Sequence, residues 1–266
     1  MKRSVFQLMD EYRKMLIDEH LFYVEQSKKR LLSQFENIAE EAEQAQEARW
    51  NSTDRYFDPD FHDMGDVAQD ALDHGVEFFQ LLSEMHDRTR LSVVAGMYHH
   101  WDKAWRKFLA QELRWTVVVG EHTRRAIFSL DSKDLEKLLS SLGLEVRAFP
   151  NFDRLDAMRL IVNVYKHGEG KALDDLRQLY PEFLPTGGLF APRFPDDSDL
   201  VITDQHVEDF SVAIHAFWSS LPPELTMESE LEFDVPDKFS AAFKRDLKSR
   251  AELVEAPSLF KTKSNQ

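Results

Sequence analysis

Arg159, Asn163 and His167 stand four residues apart in the run Arg159-Leu-Ile-Val-Asn163-Val-Tyr-Lys166-His167-Gly168-Glu-Gly170. Four residues advance an α-helix by about 400°, so the three side chains drift only about 40° per step and share one edge. Met158, Leu160, Ile161, Val162 and Val164 fill much of the remaining surface. A guanidinium, an amide and an imidazole along the polar edge of a mostly buried helix can hold a phosphate and move a proton. A second explanation needs no chemistry. Lys166 and His167 in a last turn meet the negative end of the helix dipole, and Gly168 is a natural left-handed stop. Asn163 has poor helix-interior propensity, and capping does not account for it.

The elements around this segment are predicted to be helical. Residues 1–58 contain neither Gly nor Pro, and Phe6, Met9, Tyr12, Leu16, Leu21, Leu31, Phe35 and Ile38 recur at helical spacing, which predicts one long helix or two. Leu72, Val76, Phe79, Leu82 and Met85 form one apolar face, and Val94, Met97, Trp101, Trp105 and Phe108 form a second, with a junction expected at Thr89–Ser92. Asp131 is the expected cap of a short helix that Gly143 ends. Pro150 precedes the signature helix, which starts near Phe152, and Leu173, Leu176 and Leu179 mark one more short helix. Residues 180–203, rich in Pro, Gly and Asp, read as a long loop, after which Thr203 or Asp204 opens a helix that Pro222-Pro223 stops. From Glu224 the apolar content thins, so a partly disordered tail is expected, with at most a weak helix over "DKFSAAFKRDLKSRAELVEA". The organisation read here is a helical extension over 1–58, a helical bundle over 59–223 and a tail over 224–266.

The stretch "MRLIVNVYKHGEGKALDDLRQLYPEFL", with its N-x-x-K-H-G-x-G element, resembles the signature helix of HEPN-like proteins of prokaryotic defence and toxin systems. "AGMYHHWDKAWRKFLAQEL" and "DLVITDQHVEDFSVAIHAFWSSLP" are similar to further core helices of such bundles, so the likeness spans roughly residues 65–222. It implies an all-α antiparallel bundle of the HEPN type. It also implies a metal-independent endoribonuclease with a site shared across a homodimer. His167 would serve as general acid or base, Arg159 would neutralise charge on the phosphorane, and Asn163 would orient the imidazole or donate a hydrogen bond. Arg154, Lys166 and Lys171 would contact the RNA backbone. Seven residues separate Arg159 from His167, a wider interval than in the family's ribonucleases. The other reading is a non-catalytic HEPN-like scaffold, sensor or antitoxin-like partner, in which Arg159 and Asn163 fix helix register and His167 caps.

Composition narrows the choices. Against 33 basic residues stand 48 acidic ones, a net charge of −15, so the chain is no generic nucleic-acid binder and any RNA contact must be local. The candidate patch is Arg147, Arg154, Arg159, Lys166 and Lys171. There is no cysteine, which removes disulfides and thiolate chemistry. Asp58, Asp60, His62, Asp63 and Asp66 match neither a calcium loop nor a zinc motif and read as an acidic interhelical loop. His99 and His100 are adjacent, so they point about 100° apart and form no i, i+4 metal pair. One of them is a candidate buried histidine. No phosphate loop, dinucleotide motif or G-x-S-x-G elbow occurs. Neither a metal nor a cofactor is expected, no apolar run approaches the ~20 residues of a membrane span, and the expected location is cytoplasmic. Trp101, Trp105 and Trp218 are large enough to serve either the core or a subunit interface.

Overall fold

In the order β1 (Lys2–Gln7), α1 (Asp10–Arg30), α2 (Ile38–Thr53), α3 (Met64–Thr116), α4 (Glu121–Ser129) and α5 (Ser132–Ser141), a short strand precedes a series of helices. They are followed by α6 (Phe152–His167), α7 (Lys171–Leu179), α8 (Asp204–Ser220), β2 (Glu224–Glu228) and α9 (Asp237–Glu255). This computed structural model describes residues 2–53, 57–58, 60–116, 119–185, 195–228 and 235–255. The expectation of a predominantly helical protein holds. The acidic loop and the Pro/Gly-rich loop fall partly outside the described residues, and the terminal "KTKSNQ" falls wholly outside them.

The first of two compact units comprises Met1–Ile17, His100–Phe152 and Ala216–Gln266. Lys2–Gln7 is a strand rather than the start of the helix expected over the N-terminal residues. It pairs antiparallel with β2, from Lys2↔Glu228 to Gln7↔Glu224, with an irregularity between Ser4 and Phe6. That bulge turns both Val5 and Phe6 into the core. It breaks the alternation by which a strand is recognised, and the partner strand lies at the far end of the chain. Phe6 packs edge-on against Phe108, which joins Trp105, Phe217 and Trp218 in one aromatic cluster. Trp105 and Trp218 are buried there, so they serve the core and offer nothing to an interface.

Helix α4 has only nine residues and is tied at both ends by other helices. At its C-terminus Arg106 Nη1 donates to the carbonyls of Ile127 and Leu130, at 2.7 and 2.9 Å. At its N-terminus the Asp246 carboxylate of α9 accepts from the backbone N–H groups of His122 and Thr123 and from the Thr123 hydroxyl, at 3.2, 2.8 and 2.6 Å. This satisfies amides that a short helix leaves open. It also makes the predicted weak helix of the tail an integral element. Asp131 caps α5 as expected, accepting from Asp134 N–H at 2.8 Å, and Gly143 takes φ +88° after it.

The second unit comprises Asp18–His99 and Asp153–His215. Its core joins Val93, Val94 and Met97 of α3, the apolar residues of α6, Leu173 and Leu176 of α7, Phe183, and Val207, Phe210 and Ile214 of α8. The expected junction at Thr89–Ser92 does not exist, since α3 runs through it. Thr89 Oγ1 and Ser92 Oγ donate back to Met85 O and Arg88 O, at 2.7 and 2.9 Å, so their hydroxyls are satisfied within the helix. Gly96 permits a close approach: a Cβ there would stand 2.0 Å from Tyr23 Oη. The first apolar face of α3 is left largely open. Leu72, Val76 and Phe79 are 45%, 49% and 46% exposed, and Met85 is exposed too. Helix α2 instead meets α3 along Ala71 and Gly75, one flank further round.

Candidate functional site on helix α6

Helix α6 begins after a turn in which Asn151 takes φ +60°, and it ends where Gly168 takes φ +70°. The Gly168 N–H still donates to Val164 O, at 2.7 Å, so glycine closes the helix by the left-handed route that side chains disfavour. Leu155, Ala157, Met158, Leu160, Ile161, Val162 and Val164 are all buried. So many apolar positions surround this helix in core, and its polar side chains are confined to a narrow edge.

Along that edge the residues have different fates. Arg159 Nε and Nη2 both donate to Oδ1 of Asp156, at 2.9 and 2.7 Å. Asp156 is only 7% exposed, and its Oδ2 accepts from Tyr180 Oη at 3.1 Å. The guanidinium is thus anchored in a polar trio joining α6 to the residue that follows α7, and its side chain is 20% exposed. Asn163 is half-buried, and no hydrogen bond engages its side chain among the described residues. Lys166, His167 and Lys171 are exposed. Their side chains have no hydrogen-bond or ion-pair partner among the described residues. His167 lies eight positions after Arg159, about 12 Å along the axis. With its guanidinium held on Asp156, towards the opposite end of the helix, Arg159 does not converge with His167 on one phosphate within this chain.

The expected basic patch is largely neutralised by carboxylates. Arg154 Nη1 donates to Glu182 at 3.0 Å and lies over the Phe183 ring, and Arg147 Nε donates to Glu136 at 2.6 Å. Lys166 and Lys171 are what remains of it. His99 and His100 are both exposed, so neither is the buried histidine expected in that stretch. No group of three potential metal ligands occurs among the described residues.

Beside the C-terminal end of α6 lies a cleft of about 540 Å³, lined by Tyr165, by Glu84, Asp87 and Arg88 of α3, and by Asp197 and Ser198. Tyr165 Oη is 3.1 Å from Ser92 Oγ. A Cβ on Gly168 would stand 3.5 Å from Asp197 Oδ1. With three carboxylates and one guanidinium, the cleft repels a phosphodiester more than it attracts one. Nearby, His86 stacks on Phe35 with ring centroids 4.7 Å apart. Burial, reinforced by the Arg90 charge, holds its imidazole below the ordinary range. The Arg90 guanidinium in turn holds the Asp204 carboxyl low, against the effect of burial, through a 2.7 Å hydrogen bond.

Asp156 and Tyr180 are the residues that motif reasoning overlooked. The available signal was an acid three positions before an arginine inside an otherwise apolar helix, a spacing at which side chains meet. No family model matches this chain, and no curated protein or solved structure matches it.

Proposed function

We propose that this protein is a non-catalytic helical scaffold that binds a partner, with α6 as the structural helix of its second unit. The observation that carries the reading is the engagement of Arg159 with buried Asp156 and, through it, Tyr180. A guanidinium spent on a buried carboxylate supports helix packing and is not available to a reacting phosphate. The acidic cleft beside the helix and the net charge of −15 favour the same conclusion.

A second reading has one observation in its favour. His167, Lys166 and Lys171 are exposed and uncommitted at one end of α6, as a composite site between two copies requires. Under it the protein is a HEPN-like, metal-independent endoribonuclease of a prokaryotic defence or toxin system. The RNA 2′-hydroxyl would attack the adjacent phosphorus with His167 moving the proton, leaving a cyclic phosphate and a 5′-hydroxyl. Incubating the purified protein with mixed-sequence RNA in EDTA separates the two. The scaffold reading expects no cleavage above that of the His167→Ala variant. Cleavage that persists in EDTA and disappears in His167→Ala, with helical circular dichroism unchanged, would overturn it.

A further inference from the structure

The face that α2 and α3 leave open has its own chemistry. These helices form an antiparallel arm within the second unit. A Cβ on Gly75 would stand 2.9 Å from Gln46 Cβ and 3.3 Å from Ala42 O, so the backbones are in close approach there. Further along, Arg49 Nε donates to Asp70 at 2.7 Å. On α3 the buried flank is Ala71 and Gly75. About 100° round the helix, Ala68, Leu72, Val76 and Phe79 line up on a single stripe. All four are exposed. On α2 the same wheel turns exposed Trp50 to the side that adjoins this stripe, the side on which Gln46 touches Gly75. From Ala68 to Phe79 the stripe runs about 16 Å, three helical turns. A continuous apolar face of this length on a two-helix platform is what an amphipathic helix covers.

Charge identifies the occupant. Residues 38–80 hold 12 Asp and Glu against 2 Arg and no Lys, so this segment carries ten of the chain's fifteen net negative charges. Asp66, Asp73 and Glu77 are exposed along one flank of the stripe, and Glu43 and Glu47 of α2 along the other. A second copy of the arm would set two such fields against each other, and RNA is repelled outright. The complementary ligand has apolar residues along one face and lysine or arginine on both borders.

We propose that the α2–α3 arm docks a basic amphipathic helix of a partner protein, with Leu72, Val76, Phe79 and Trp50 receiving its apolar face and the flanking carboxylates pairing with its cations. This rests on the binding reading above and names the partner's chemistry. The site is separate from α6, so loss of the arm leaves the assay for RNA cleavage untouched.

The probe is a fluorescent peptide of leucine and lysine, about four to five turns long, with leucines at the i, i+3, i+4, i+7 spacing of one helical face. Anisotropy titration of the full chain should show saturable binding. Leu72→Ser/Phe79→Ser should weaken it at least about tenfold. Asp73→Asn/Glu77→Gln should weaken it and flatten its salt dependence. Both pairs are exposed, and unchanged circular dichroism confirms that the fold is retained. A peptide with glutamate in place of lysine should not bind. Equal affinity of both variants for the basic peptide, or equal binding of a scrambled lysine–leucine peptide, would overturn the proposal. So would self-association of the parent that Leu72→Ser/Phe79→Ser abolishes, since the occupant would then be a second copy. Failure of peptide binding leaves the reading of α6 standing, whereas RNA cleavage dependent on His167 overturns that reading whatever the peptide does.

Discussion

Replacing Asp156 by alanine tests what Arg159 is for. The change removes the acceptor of two guanidinium donors, at 2.9 and 2.7 Å, and of the Tyr180 hydroxyl, at 3.1 Å. A hydrogen bond to a charged group contributes about 1.5–3 kcal/mol and a neutral donor about 1 kcal/mol. Because the Arg159 side chain keeps 20% of its exposure, water partly replaces the lost carboxylate and the lower end of that range applies. The expected cost is therefore about 4 kcal/mol, within the ~3–5 kcal/mol for breaking a buried pair by removing one partner. In urea unfolding followed by circular dichroism the midpoint should fall by about 1.3 M at an m-value near 3 kcal/mol/M. The double variant Asp156→Ala/Arg159→Met should recover much of the loss, because methionine fills the space and leaves no orphaned charge. A coupling of about 1.5–2 kcal/mol in the double-mutant cycle is the expected signature. A cost below about 1 kcal/mol, or additivity within about 0.5 kcal/mol, would refute the structural assignment and free the guanidinium for a phosphate.

Two further perturbations test the fold's other polar and steric devices. Asp246→Ala should cost about 1–3 kcal/mol, because the buried Thr123 hydroxyl loses its acceptor and α4 its cap, and protease cleavage within α9 should accelerate. Burial opposes the charged form of Asp246, but the hydrogen bonds from Thr123 and His122 outweigh it and hold its carboxyl below the usual range. Its contribution is thus complete above the unfolded carboxyl value of about 4 and lost as pH falls through the lower folded one, so parent and variant midpoints should converge as pH falls below about 4. Midpoints that stay equally separated at low pH would contradict this. Gly96→Ala should destabilise by about 1–3 kcal/mol through overpacking against Tyr23, despite alanine's better helix propensity. A higher urea midpoint would show that Tyr23 swings aside without cost.

Several features were legible because their causes are local. The Asp131 cap, the Gly143 and Gly168 stops, and the span of α6 depend on residues within a turn or two of each other, where side-chain chemistry and backbone sterics act alone. Asn163 and His167 could be placed on one helical edge with Arg159 for the same reason, since helical periodicity is a property of the chain itself. What α6 packs against, and therefore which of its polar groups are spent, could not be read this way.

The tertiary structure decided the rest by choosing partners. Strand β1 exists because β2 meets it from the far end of the chain, and its bulge hides the alternation that marks a strand. Thr89 and Ser92 look like a junction until their hydroxyls bond back within one continuous helix. Arg159 reads as a catalytic cation until buried Asp156, steadied by Tyr180, claims its guanidinium. Leu72, Val76 and Phe79 have the pattern of a core face, but α2 lies against the adjacent flank and leaves them open. Periodicity says that a stripe is apolar, while only packing says whether anything in the same chain covers it.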